Sequence, residues 1–118
     1  MRGSVPTLQE KIEQVLAGEL LRKTDLTCGD LVLVRTENSV YSIHVLGDDL
    51  YLVSGGWFDR KGVSPQTTGI NGCTWGGSAI KHDIVAARGL FLEFGNRVVT
   101  TRIQDFRIIR RRPQRYPN

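Results

Sequence analysis

Residues 90–104 read LFLEFGNRVVTTRIQ, and the reading of this stretch decides the fold class. Apolar and polar side chains alternate on both sides of Gly95-Asn96, the period of two that places successive side chains on opposite faces of a strand. Gly95-Asn96 is a two-residue turn signal, with glycine expected to supply the positive φ that a type II′ hairpin needs at its first position. That turn pairs Leu92 with Val99 and Leu90 with Thr101. Leu90, Leu92, Phe94, Val99, Thr101 and Ile103 then share the core face. Beyond Ile103 the alternation slips at Gln104-Asp105 and resumes at Phe106 and Ile108, the mark of a bulge or one short turn before a final strand.

The same period runs through the middle of the chain. Leu31 to Val34 is an unbroken apolar run, as in a strand buried on both faces. Val40 to Leu46 alternates, TENS between them is turn-forming, and Gly47-Asp48-Asp49 leads into LYLVS, so residues 31–54 read as a three-strand meander. The stretch from Ser54 to Thr74 is too long for a plain loop. It hides a strand near residues 66–70, forms a binding rim around Trp57 and Phe58, or both; exposed, these aromatics make a patch for a partner, and buried, the reading favoured for large aromatics, they plug the barrel end. Upstream, Leu8, Ile12, Val15, Leu16 and Leu20 line one face at helical spacing, and Thr7 with Glu10 makes a capping box. The expectation is an N-terminal helix over residues 6–23, with Gly18 weakening its last turn.

One helix and five to seven short strands, each burying one face in 118 residues, are best accommodated by rolling the sheet into a closed barrel, which also removes edges. The expected fold is therefore mainly β: one domain, 1–118, with a helix at 6–23, a small SH3-like or Sm-like barrel at 30–109 and a basic, flexible tail at 110–118. The phrases LVRTENSVY, GGWF, NGCTWGGS and RVVTTRIQDF resemble those of short bacterial proteins of small all-β type. The resemblance spans about residues 31–109. It implies a bacterial, single-domain, all-β chain and carries over no activity or site.

Composition narrows the function classes. At 40% hydrophobic and 24% charged the chain is an ordinary globular domain. It has no apolar run approaching the roughly 18 residues of a membrane helix, so no membrane partner and a cytoplasmic location are expected. The net charge of +4 is uneven: residues 97–118 carry seven arginines against one aspartate, whereas residues 1–96 carry nine basic and eleven acidic side chains. A basic end suggests an anionic partner. Arg107, Arg110, Arg111, Arg112 and Arg115, with Tyr116 nearby, are the candidate nucleic-acid or anion contacts.

Residues 71–83, NGCTWGGSAIKHD, hold the side chains most capable of chemistry. Cys73 as nucleophile, His82 or His44 as base and Asp83 as orienter would make a small cysteine-dependent enzyme. His82 and Asp83 are adjacent, however, and would point apart in a strand. The glycines Gly69, Gly72, Gly76 and Gly77 could cradle a phosphate, but a P-loop needs Gly-Lys-Ser/Thr, and Gly77 is followed by Ser78 and Ala79. Cys28, His44, Cys73 and His82 lack the short paired spacing of a zinc site. No metal or cofactor is implied. The stretch reads as corner architecture.

The preferred function is a non-enzymatic binding or assembly module. Its partner is nucleic acid, met through the basic end, or protein, met through an open strand edge or the candidate contacts Trp57, Phe58 and Trp75. Open edges also admit homo-oligomers.

Overall fold

The computed structural model describes residues 20–110. Ten strands, all paired antiparallel, and one short helix make up the described chain. The strands are β1 (Leu20–Arg22), β2 (Leu31–Thr36), β3 (Val40–Gly47), β4 (Leu50–Gly55), β5 (Gln66–Thr68), β6 (Ile70–Thr74), β7 (Ile80–Lys81), β8 (Ile84–Ala87), β9 (Phe91–Phe94) and β10 (Val99–Ile109). The helix, α1, is Gly56–Arg60. Eight strands form one sheet in the order β5-β4-β3-β2-β10-β9-β6-β7, and β1 pairs with β8 beside it.

The meander appears as expected, with Val34 opposite Tyr41 and Ile43 opposite Val53. Its hairpin between β3 and β4 turns through Asp48 and Asp49, both at positive φ (55° and 58°), as a primed turn demands. The strand expected near residues 66–70 divides at Gly69 into β5, which pairs with β4, and β6, which pairs with β9. The slip after Ile103 is a bulge between Ile103 and Asp105. It lets the eleven-residue β10 pair with β9 at its start and with β2 at its end.

Three expectations are corrected. Backbone pairing does not close the sheet into a barrel: β5 and β7 are edges of three and two residues, too short to zip the two ends together. The helix expected at 6–23 falls mostly outside the described residues, and its last part is not helical. Leu20–Arg22 is β1, with Leu20 opposite Ala87 and Arg22 opposite Ile84, and a 3-10 turn follows at Lys23–Asp25. Leu21, 6% exposed, is buried in the core there, and burial of that kind outweighs a helix propensity of a few tenths of a kcal/mol. The 90–104 hairpin is one residue out of the expected register, with Val99 opposite Glu93 and Arg102 opposite Phe91. Thr100 turns inward, 4% exposed, and Val99 outward, 48% exposed.

The core is one cluster gathered from both parts of the sheet: Val32 and Val34, Tyr41 and Ile43, Val53, Ile70, Leu92, Phe94 and Ile103, all buried. Helix α1 delivers Phe58, 0% exposed, into it. Phe58 meets Phe94 edge to face at 5.1 Å and Tyr41 at 6.3 Å, the geometry that aromatic quadrupoles favour. No helix among the described residues is long and apolar enough to cross a membrane.

Candidate binding face

Strands β4, β3, β2 and the second half of β10 lie side by side, and their inward residues form the core just described. Their outward residues fall in cross-strand rows. Val40, Arg35 and Asp105 make the first row; Ser54, Ser42, Leu33 and Arg107 the second; Leu52, His44, Leu31 and Ile109 the third. Leu46 and Leu50 follow at the far end.

Seven of these side chains are aliphatic. Val40 is 52% exposed, Leu50 45%, Leu46 44% and Ile109 44%, while Leu31, Leu33 and Leu52 are half-buried by their neighbours alone. An antiparallel sheet with one solvated face ordinarily turns polar residues outward. This face departs from that rule across four adjacent strands, and a shallow depression of about 250 Å3 opens in it, lined by Leu33, Arg35, Val40, Asp105, Phe106 and Arg107.

The charge beside the depression is positive. Asp105 is held below the usual carboxylate range by the Phe106 backbone N–H, which donates to it at 2.9 Å, and by Arg88, with Arg35 adding to the effect. Arg88 takes up its charge at 3.3 Å. Arg35 and Arg107 are exposed, and Arg107 makes no ion pair among the described residues. Sequence reasoning singled out Arg107 and passed over the aliphatic row beside it. The signal was the unbroken LVLV run: it calls for burial on both faces, and the described residues cover only one.

The other basic candidates divide. Arg110 is engaged within the fold, reaching Asp30 at 3.5 Å and donating to the Asp25 carbonyl at 2.9 Å. Arg111, Arg112 and Arg115 lie outside the described residues, as does the rest of the tail read at 110–118. Among the aromatic candidates, Phe58 is core, which corrects its reading as a contact and agrees with the buried alternative. Trp57 is half-buried against Phe58 at 5.2 Å, and Trp75 is 38% exposed.

The residues read as possible chemistry do not converge. The Cys73 thiol is 0% exposed and burial pushes its pKa up to about 12, so it stays a protonated thiol near neutrality, whereas the nucleophile is the thiolate. His82 Nδ1 sits 3.0 Å from the Asn71 carbonyl. Asp83 is paired with Arg22 at 2.8 Å. His44 is on the outer face of β3, opposite Leu31 and Leu52. Among the described residues no group of three or more His, Cys, Asp or Glu side chains is placed to hold a metal ion.

The glycine-rich corner serves its own backbone. A Cβ on Gly72 (φ +138°) would collide with the Lys81 carbonyl, and the Thr74 hydroxyl accepts from the Gly76 N–H at 3.1 Å and donates to the Gly77 carbonyl at 3.1 Å. The loop is thereby tied to itself rather than opened toward an anion. Cys28 is the other thiol; it is exposed, donates to the Leu46 carbonyl at 3.3 Å, and borders a smaller depression of about 150 Å3 with Lys23, Asp49 and Tyr51.

No family model, no curated protein and no solved structure matches this chain.

Proposed function

We propose that this protein is a non-enzymatic β module whose strand order follows that of the SH3-like or Sm-like small barrels with its backbone pairing left open, and that it binds a macromolecular partner on the outer face of β4, β3, β2 and β10. The architectural part of the reading draws support from strand order. The meander is followed by a tight hairpin, and β10 bends at its bulge to serve both parts of the sheet. The functional part rests on one observation: Leu31 and Leu33 point outward, half-buried, while Val32 and Val34 on the same strand are fully buried behind them. Contiguous apolar surface on a small domain marks an interaction site.

The partner classes are protein and nucleic acid. The aliphatic outer face favours the first, and Arg35 and Arg107 at its border keep the second as the alternative. Against a small enzyme centred on Cys73 and His82 stands the complete burial of the thiol.

The test is an amide chemical-shift map of the full chain titrated separately with an amphipathic peptide and a 12-nucleotide single strand. The reading expects shifts in Leu33, Val40, Ser42 and Arg107 with at least one of them, lost in Leu33→Glu. Shifts confined to other surfaces, or none at all, refute it.

A further inference from the structure

We infer that the partner of this face is an amphipathic helix with acidic flanks, supplied by another protein. The inference rests on the reading of this face as the binding surface and gives that surface a ligand chemistry.

Four features of the face select this partner. The first is that the central strands beneath it, β3 and β2, are paired on both sides. An added β-strand needs an open edge, which lies at the margin of this face beside Asp105–Ile109 of β10, so its centre is read through side chains alone. The second is its size. Four strands spaced by about 4.8 Å, and three to four rows spaced by about 6.8 Å, give a patch of about 20 Å by 20 Å. A helix about 10 Å wide crosses such a patch from end to end in three to four turns and lies over about half of it, whereas a standard interface between globular partners takes about 800 Å2 from each.

The third feature is side-chain chemistry. The face offers Leu31, Leu33, Val40, Leu46, Leu50 and Leu52, branched aliphatics that accept the leucines of an apolar helix stripe. It lacks the row of exposed aromatics on which single-stranded bases stack: Phe106, which borders the depression, stands opposite Val34 and packs against the core. The fourth is charge. With Asp105 taken up by Arg88, Arg35 and Arg107 leave the side of the depression positive. Asp48, exposed in the turn between Leu46 and Leu50, puts the opposite charge at the far end of the face, so the positive charge is local to Arg35 and Arg107. Glutamates flanking the stripe of a partner helix would meet Arg35 and Arg107.

The experiment uses the full chain and three fluorescein-labelled probes read by anisotropy. One is a 16-residue helical peptide with leucines at i, i+3, i+4 and i+7 spacing and glutamates elsewhere. The second is the same peptide with lysines for the glutamates, and the third a 12-nucleotide single strand. The expected result is saturable binding of the glutamate peptide, with the lysine peptide at least tenfold weaker. The double variant R35E/R107E should weaken the glutamate peptide by about tenfold, the effect of reversing two interfacial charges. Ser42→Glu, at the centre of the face, should do the same without touching an arginine, so a failure of the double variant to fold leaves the question decidable.

Equal or tighter binding of the lysine peptide overturns the inference. Binding of the oligonucleotide to this face in place of the peptide, abolished by Leu33→Glu, also overturns it while leaving the binding-module reading intact. A concentration-dependent dimer in sedimentation that Leu33→Glu dissolves assigns the face to a second copy and overturns it likewise. If no probe reaches the face and the chain stays monomeric, both readings fall.

Discussion

Arg97 donates its backbone N–H to the carbonyl of Phe94 at 2.9 Å with its own φ at +68°, and the Phe94 N–H returns to the Val98 carbonyl at 2.9 Å. These two bonds define a three-residue hairpin loop, Gly95 to Arg97, in which the third residue is left-handed and forms a bulge. A left-handed conformation costs a side-chain-bearing residue about 1–2 kcal/mol and costs glycine little. Arg97→Gly should therefore stabilise the chain by about 1 kcal/mol, read as a higher urea midpoint at unchanged slope. A lower midpoint would show that the Arg97 side chain contributes more than its backbone strain costs.

The same loop explains why the hairpin's existence was legible in the sequence and its register was not. Alternation identifies two strands and a turn, but the count of loop residues sets which side chains face each other, and a two-residue and a three-residue loop differ by one place. Gly95 was read as the residue with positive φ. Its actual constraint is space: a Cβ there would stand 3.1 Å from the Gly69 nitrogen and 3.2 Å from the Thr68 hydroxyl, and its N–H donates to the Gly69 carbonyl at 2.7 Å. That contact joins residues 26 apart in sequence, and no local pattern contains it. The outer face was hidden for a related reason. The run from Leu31 to Val34 announces two-sided burial, but nothing in the sequence says whether the second cover comes from this chain or from a partner.

Gly56 sits against the ring of Tyr41 at φ +46°, with the Trp57 N–H donating to the Tyr41 hydroxyl at 3.2 Å. A methyl group at Gly56 would overlap that ring, and Tyr41, 3% exposed, is wedged against Phe58 and Phe94. Gly56→Ala should cost about 3 kcal/mol or more, because it displaces a core aromatic and strains the entry to α1. Gly62 is the internal control. It too has positive φ (+69°) but faces open space, so Gly62→Ala should cost only the backbone strain of about 1–2 kcal/mol. Equal losses in paired thermal melts would contradict the steric account.

Alkaline pH should weaken the fold through Cys73 and Tyr51. Burial raises both groups, Cys73 from 9.0 to about 12 and Tyr51 well above its usual 10.0, with Asp49 adding to the shift at Tyr51. A raised folded pKa means that the native state keeps a proton which the unfolded chain releases. The stabilisation is complete below the unfolded pKa and is lost as pH climbs toward the folded one. Between pH 9 and 10 the Cys73 contribution dominates, and stability should fall by up to about 1.4 kcal/mol per pH unit for one proton. Cys73→Ala should flatten that slope, even though it lowers stability at pH 7 by leaving a small cavity. An unchanged slope would mean that the thiol meets water in the native protein. Consistent with burial, a maleimide at pH 7 should label Cys28 at once and Cys73 only in denaturant.

Arg110 tests whether a residue read as a nucleic-acid contact is held for the fold. Asp30, 3% exposed, accepts from the Thr27 N–H at 2.8 Å, and Arg110 lies 3.5 Å from the same carboxylate oxygen. Asp30→Ala should cost about 2 kcal/mol, since it strands the Thr27 donor and removes a turn cap. Arg110 is half exposed, so water screens its share, and Arg110→Ala should cost less than about 1 kcal/mol. A double-mutant cycle should then show coupling of a few tenths of a kcal/mol or more between the two positions. Strict additivity would release Arg110 from the fold and return it to the pool of arginines available to a partner.

Leu33 and Val34 are neighbours on β2 with opposite duties, and substituting each in turn separates stability from recognition. Val34 is 0% exposed between Tyr41 and Phe106 in register. Val34→Ala should cost about 2 kcal/mol in lost burial and residual cavity. Leu33 points the other way, to the depression beside Arg107. Leu33→Ser should stay within about 1 kcal/mol, the size of cross-strand contacts on an exposed face, while reducing the dye-accessible apolar surface reported by anilinonaphthalene sulfonate. A loss at Leu33 as large as that at Val34 would mean that the outer aliphatics hold the sheet together. An inexpensive Leu33→Ser that also abolishes partner binding would instead assign this outward row to recognition, the one role left for aliphatic side chains that the described fold does not cover.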